Sequence, residues 1–431
     1  MSRNRTLSGF FVRIAKGATA GAVAALAAWL LTLTTPARMV DEWLLDSILV
    51  RRGERESSPA IILVALDENT LHNLGKPTPY LSPELAQVLE FLHTWGAKAV
   101  GVDLLVPQYL GNLPGMRDTE GVIHGDPLTV GRVVSDHPNT VFIQRAVGGK
   151  LILPLNEWYS PLLPMPPFDD DDEAAVITDN TGIPLYLANV ELAEDLDHIV
   201  RSQNLLYKIK DADETRYAPH LALAVVATAT GRSVQRDEKD RLLLGEDVVE
   251  HDDGFQLRIN YCGPPGTYRT ISFGDILTGE TTSEQEQSVE GAIVIVGATS
   301  AGLDEFFATP YANRLPWIGL QGDSPQRMSG IELHANIVST LLDRAYIRRL
   351  SALQRLGLLL LAGGLLGATY GWFGFWRGAG VALAVLAIWY SSSVHIFSWS
   401  NWQMPQAGML FLAVLSMIAP WYLKLRWTRR L

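Results

Sequence analysis

The 431-residue sequence contains one cysteine, Cys262. A single cysteine cannot close an intramolecular disulfide and leaves no cysteine-based metal site. The sequence also lacks an HExxH pair, a GxSxG nucleophile elbow and any zinc-ligand spacing, so the common hydrolytic chemistries have no motif here. The four consecutive Asp of "PLLPMPPFDDDDEAAV" lack the turn glycine and closing glutamate of a helix–loop–helix calcium site. No motif implies a cofactor.

Acid is missing from both ends of the chain. None of the 46 Asp and Glu lies before Pro36 or after Leu350, and those same ends hold ten Lys or Arg. The middle carries 25 basic against 46 acidic residues, a net charge near −21. Nucleic-acid binding depends on neutralising phosphates, so this balance argues against such a partner. It suits a soluble acidic domain, residues 36–350, held between basic apolar ends.

Four apolar runs are long enough to cross about 30 Å of hydrocarbon: residues 17–35, 356–376, 381–398 and 407–423. Arg3, Arg5, Arg13 and Lys16 precede the first run, Arg377 lies between the second and third, and Lys424, Arg426, Arg429 and Arg430 follow the fourth. The link at residues 399–406 has no Lys or Arg. By the positive-inside rule, residues 1–16, the Arg377 link and the tail at 424–431 are cytoplasmic. The acidic domain is then extracytoplasmic, in the periplasm of a bacterial inner membrane. Gly363, Gly367 and Gly371 recur every fourth residue on one helix face. Such a strip packs closely against another helix, either within the chain or at a homodimer seam.

Within the middle, "DEWLLDSILVRRGER" reads as an amphipathic helix. "PAIILVALDENTL" and "AVGVDLLV" hold short buried strands, with a helix capped at Ser82 between them, which predicts a βαβ unit with parallel pairing. "NTVFIQRAV", "GIPLYLANV" and "FQLRINYCG" are strand-like, and "AIVIVGAT" is another buried strand. "YAPHLALAVVATATG" and "SGIELHANIVSTLLDR" are helical, the second started by Ser329. The sum is an α/β domain around a mixed, largely parallel sheet with flanking helices, plus four transmembrane helices, one before the domain and three after it. Asp67, Asp103 and Thr299 each follow or end a predicted parallel strand, where open α/β sheets bind ligands; they are the candidate ligand-binding residues. "GATSAG" lacks the spacing of a nucleotide loop. In "IELHAN", Glu332, His334 and Asn336 are two apart and do not share a helix face.

The stretches "INYCGPPGTYRTISFGDILTGE", "GAIVIVGATSAGLDEFFATPY" and "SGIELHANIVSTLL" resemble the second type of CHASE domain, an extracytoplasmic sensory module associated with cyclases and histidine kinases. "ILVALDENTL", "GAKAVGVDLLV" and "DLDHIVRS" fit the same pattern, so that the resemblance spans about residues 40–345. It implies a sensor with one helix before the domain and three after it, leading to a cytoplasmic output such as a kinase or cyclase. No output sequence follows the last apolar run, and "NRLPWIGLQGDSPQR" is an insertion relative to the pattern. The expectation is therefore a membrane-anchored, dimeric sensor without an enzymatic domain, which perceives a small extracytoplasmic ligand and signals to a separate effector. The rival readings are an extracytoplasmic enzyme using Asp67 and Asp103 and a structural or interaction subunit of the cell envelope.

Overall fold

A computed structural model of the chain describes residues 2–56, 60–76, 78, 81–104, 130, 133, 136–147, 150–152, 187–190, 192–211, 214–237, 239–300, 306–312 and 327–428. The acidic loop at residues 169–172 and most of the insertion after Ala312 lie outside these residues. The chain forms two compact units, residues 1–53 with 347–431, and Glu54–Tyr346.

In chain order the helices are α1 (Ser2–Leu31), α2 (Thr35–Arg52), α3 (Glu68–Leu74), α4 (Ser82–Thr94), α5 (Leu221–Thr230), α6 (Phe273–Thr278), α7 (Ser283–Val289), α8 (Gly330–Leu342), α9 (Ala352–Phe373), α10 (Phe375–Ser400) and α11 (Gln406–Thr428). The main strands are β1 (Ile61–Leu66), β2 (Ala99–Asp103), β3 (Thr140–Val147), β4 (Lys150–Ile152), β5 (Leu187–Asn189), β6 (Ser202–Asn204), β7 (Leu206–Asp211), β8 (Glu214–Pro219), β9 (Val234–Arg236), β10 (Leu242–Leu244), β11 (Asp247–Val249), β12 (Gln256–Arg258), β13 (Arg269–Ser272) and β14 (Ile293–Ala298).

Among the described residues three helical stretches are long and apolar enough to cross a membrane: Phe11–Leu31, Ala352–Phe373 and Phe375–Ser400. This corrects the expected four. Helix α11 is apolar over Gln406–Ile418 among the described residues, short of the roughly 18 residues a crossing needs, and its later side chains lie outside them. The first span also ends earlier than the expected Thr35. A turn at Thr32–Thr34 closes α1, and Pro36 in the first turn of α2 starts a new helix, a position where its missing N–H costs nothing. In the helical unit, the Gly363, Gly367 and Gly371 strip packs against α1 of the same chain. A Cβ at Gly21 would strike the carbonyl oxygen of Gly363, and one at Gly17 that of Gly367. The glycines thus allow backbone-to-backbone approach, as small residues do between membrane helices. Within this unit Asp41 accepts a hydrogen bond from the N–H of Ala407 at 2.8 Å, and Arg349 donates to Glu42 at 2.7 Å.

The second unit is an α/β domain. Its central sheet has the order β13-β1-β14-β2-β3-β4, with β5 also pairing β3. All pairs are parallel except β3–β4. The strands β1 and β2 are parallel as the expected βαβ unit requires, but they do not touch. The fully buried β14 lies between them, paired with β1 at Leu66–Ala298 and with β2 at Asp103–Gly297. An all-apolar strand gains most from a central place covered on both faces. Ser82 also differs from expectation: Leu81 occupies the cap position and the hydroxyl of Ser82 makes no capping bond.

Alternation along the strands divides two cores. Ile62, Val64, Leu66, Val100, Val102, Val294 and Val296 meet α4, α6 and α7. Ile61, Leu63, Ala99, Val141, Ile293 and Ile295 meet α5 and α8.

Candidate functional site

The carboxyl ends of β1, β14 and β2 lie side by side, so the three sequence-predicted residues come from adjacent strands. The N–H of Thr299 donates to the carbonyl of Leu66 at 3.1 Å, which sets Thr299 beside the end of β1. Asp103 is the last residue of β2, level with Gly297.

The two acids take different partners. Asp67 caps α3: its Oδ1 accepts from the N–H of Thr70 at 2.7 Å and from the Thr70 hydroxyl at 2.8 Å. Its Oδ2 accepts from the Ser272 hydroxyl at 3.0 Å, and Thr70 in turn accepts from the N–H of Gly274 at 3.1 Å. This carboxylate therefore joins the end of β1 to the β13–α6 turn. Neighbouring Glu68 accepts from the hydroxyl of Ser300. Asp103 faces the other way in partnership, with its Oδ2 3.4 Å from Nε2 of His334 on α8.

His334 brings in a residue that sequence reasoning missed. His220 caps α5, its Nδ1 accepting from the N–H of Ala222 at 3.1 Å. An imidazole that accepts at Nδ1 carries its proton on Nε2. That Nε2 is buried and has no hydrogen-bond partner among the described residues, and the same holds for Nδ1 of His334. The two rings lie 5.0 Å apart, tilted by 51°, and are 0% and 1% exposed. Burial holds His220 well below the ordinary histidine range, and His334 beside it adds to the effect. The signal in the sequence was Pro219 immediately before His220, followed by an unbroken apolar run. The expected helix from Tyr217 instead begins at Leu221, because residues 214–219 pair as β8 with β7.

Further along α8 the polar groups serve the architecture. Glu332 accepts from the N–H groups of Gly266 and Thr267 at 2.8 and 3.1 Å, and its burial raises its carboxyl above the usual range. The Asn336 Oδ1 accepts from the N–H of Cys262 at 2.7 Å. At the end of α8, Asp343 pairs with Arg55 at 2.5 Å, while Arg55 also donates to Ser339 at 3.0 Å and to the carbonyl of Asn260 at 3.2 Å. Among the described residues no group of three or more His, Cys, Asp or Glu is placed to hold a metal ion.

The chain thus combines a largely parallel α/β sheet, with buried polar groups at its strand ends, and helices long and apolar enough to cross a membrane. The family model of the CHASE2 domain matches residues 23–369, and the chain belongs to that family of sensory domains. No curated protein and no solved structure matches the chain.

Proposed function

We propose that this chain is a membrane-held sensor of the bacterial inner membrane whose unit Glu54–Tyr346 faces the extracytoplasmic side. It perceives a signal there and passes it through the apolar helices to a separate effector, as a homodimer. The carboxyl ends of β1, β14 and β2, with Asp67, Asp103 and Thr299, are the proposed ligand end. Family membership carries this reading, because the matched region includes the last part of the first apolar helix and most of α9 together with the α/β domain. The aromatic residues support it. Trp372, Phe373, Phe375 and Trp376 are exposed around the α9–α10 turn, and Trp399, 92% exposed, lies at the far end of α10. Helix α10 has 26 residues, or about 39 Å, which separates Trp372 and Trp376 from Trp399 by the depth of a bilayer with its interfaces, where Trp rings collect.

The test is labelling with a membrane-impermeant maleimide, in a Cys262→Ser background, of cells with a permeabilised outer membrane. Leu196, 82% exposed, replaced by Cys is expected to label before lysis, and Arg377→Cys only after it. The reverse pattern removes the sensor orientation.

A further inference from the structure

The buried histidine pair is the feature that neither the sheet architecture nor the family explains. Two imidazoles stand 5.0 Å apart at the strand ends, each with a ring nitrogen that is buried and unpartnered among the described residues. A merely structural histidine is usually satisfied at both nitrogens, since an orphaned buried polar atom costs free energy. The bond from Ala222 to Nδ1 of His220 also argues against a metal, because it leaves the proton on the free Nε2. A second proton on His220 would have to go to Nδ1, which breaks the α5 cap and places a charge in an apolar core.

The surrounding charges decide what protonation does. Helix α5 brings no ionisable side chain beyond its cap. From α8, Glu332 is turned to Gly266 and Thr267, and Asp343 is paired with Arg55. Strand β14 has only apolar side chains and Gly297, and Tyr217 of β8 accepts from Arg236. Asp103 of β2 approaches His334. Among the described residues Asp103 is the carboxylate paired with these rings; one carboxylate can balance one imidazolium, and the pair has two imidazoles.

We propose that His220, His334 and Asp103 form a proton-binding site, and that acidity on the side faced by this unit is a signal the protein reads. Asp103 balances a charge on His334, whereas a proton on His220 is accommodated only when α5 and α8 separate. The signalling half rests on the sensor reading above; the proton uptake does not. Its sign follows from burial. His220 is held neutral in the folded unit, so its contribution to closure is full above the unfolded-state value of about 6.5 and is lost as pH falls below it.

The experiment is hydrogen exchange by mass spectrometry on the full chain in nanodiscs from pH 7.5 to 5.0, corrected for intrinsic exchange rates. Peptides covering α5 and α8 are expected to show an opening constant that rises about tenfold per pH unit below about 6.5, the slope for one proton taken up on opening. Peptides covering α7 serve as the internal comparison and are expected to stay flat. His220→Asn and His220→Ser keep a capping side chain but do not titrate in this range, and both are expected to abolish the rise. Asp103→Asn leaves both imidazoles unbalanced and is expected to steepen it. No acid-enhanced exchange in α5 and α8 of the wild type overturns the proposal, as does a rise that survives both His220 variants. Should neither variant fold, an unchanged slope in Asp103→Asn overturns it. Failure here leaves the sensor reading intact with a different signal. Wrong-side labelling of Leu196→Cys would instead remove the sensor reading and leave proton uptake measurable.

Discussion

The two faces of the central sheet share the same strands and bury different chemistry. On the face toward α4, α6 and α7 the core is Val, Leu, Ile, Ala and Phe, and its buried polar groups are small hydroxyls such as Thr70 and Ser82. Its histidines, His93 and His137, stack 4.1 Å apart at the edge, where His93 also bonds the hydroxyl of Thr140 at 2.8 Å. On the face toward α5 and α8 the core encloses His220, His334, Glu332, Asn260 and Asn336. The apolar face is stabilised by area and tolerates change in proportion to volume. Apart from the two free histidine nitrogens, the polar face is stabilised by paired groups such as Asn336 and Glu332, so that losing one partner strands another. The proton site proposed above lies on the second face, where His220 and His334 are buried together.

The comparison breaks most sharply at Asn336. Replacing it with Leu keeps a similar volume but strands the buried N–H of Cys262 and forfeits its own bond to the Glu332 carbonyl. A loss of about 4 kcal/mol is expected in denaturant unfolding of the α/β unit, from an orphaned donor plus misfit. On the apolar face, Leu89→Ala removes a side chain that is fully buried, and a loss of about 3 kcal/mol is expected from the cavity. A larger loss at Leu89 than at Asn336 would contradict the contrast between area and pairing. The smallest change is Glu332→Gln, which retains an acceptor for Gly266 and Thr267 and is expected to shift stability at neutral pH by about 1 kcal/mol or less. Its value lies in pH dependence. Burial raises the Glu332 carboxyl, so this group alone makes folding more favourable as pH falls through its raised value, opposite in sign to His220. Melting curves of Glu332→Gln from pH 7 to 4 should therefore lose stability more steeply with acid than the wild type. An equal slope would show that Glu332 carries no such load.

Much of the sheet was readable because buried parallel strands are continuous apolar runs. "IILVAL", "AVGVD" and "IVIVGA" became β1, β2 and β14 at nearly the expected bounds. Their order was not readable. Nothing local in Ile293–Ala298 says that it inserts between two strands about 190 to 230 residues earlier, since central placement is a property of the whole sheet. The strand-end positions of Asp67, Asp103 and Thr299 followed from the strand bounds, whereas the partners of their side chains did not. Asp67 is engaged by Thr70 and Ser272, and Ser272 arrives from 205 residues away. His220 was hidden by a helix assignment that began four residues early. His334 was judged by its neighbours at i±2 on α8, but its relevant neighbours come from α5 and β2. The fourth apolar run shows the opposite error, in which composition met a length criterion that the described part of α11 does not.

The ion pair between Arg55 and Asp343 joins residues 288 apart in sequence and has a consequence for heredity as well as for stability. The α/β unit, Glu54–Tyr346, therefore has its first and last residues held close to one clasp. The entropy of closing a loop depends only logarithmically on its length. Segments can therefore be gained or lost inside this unit without disturbing the clasp, and the unit can be exchanged as a cassette between membrane carriers with only two junctions to reconcile.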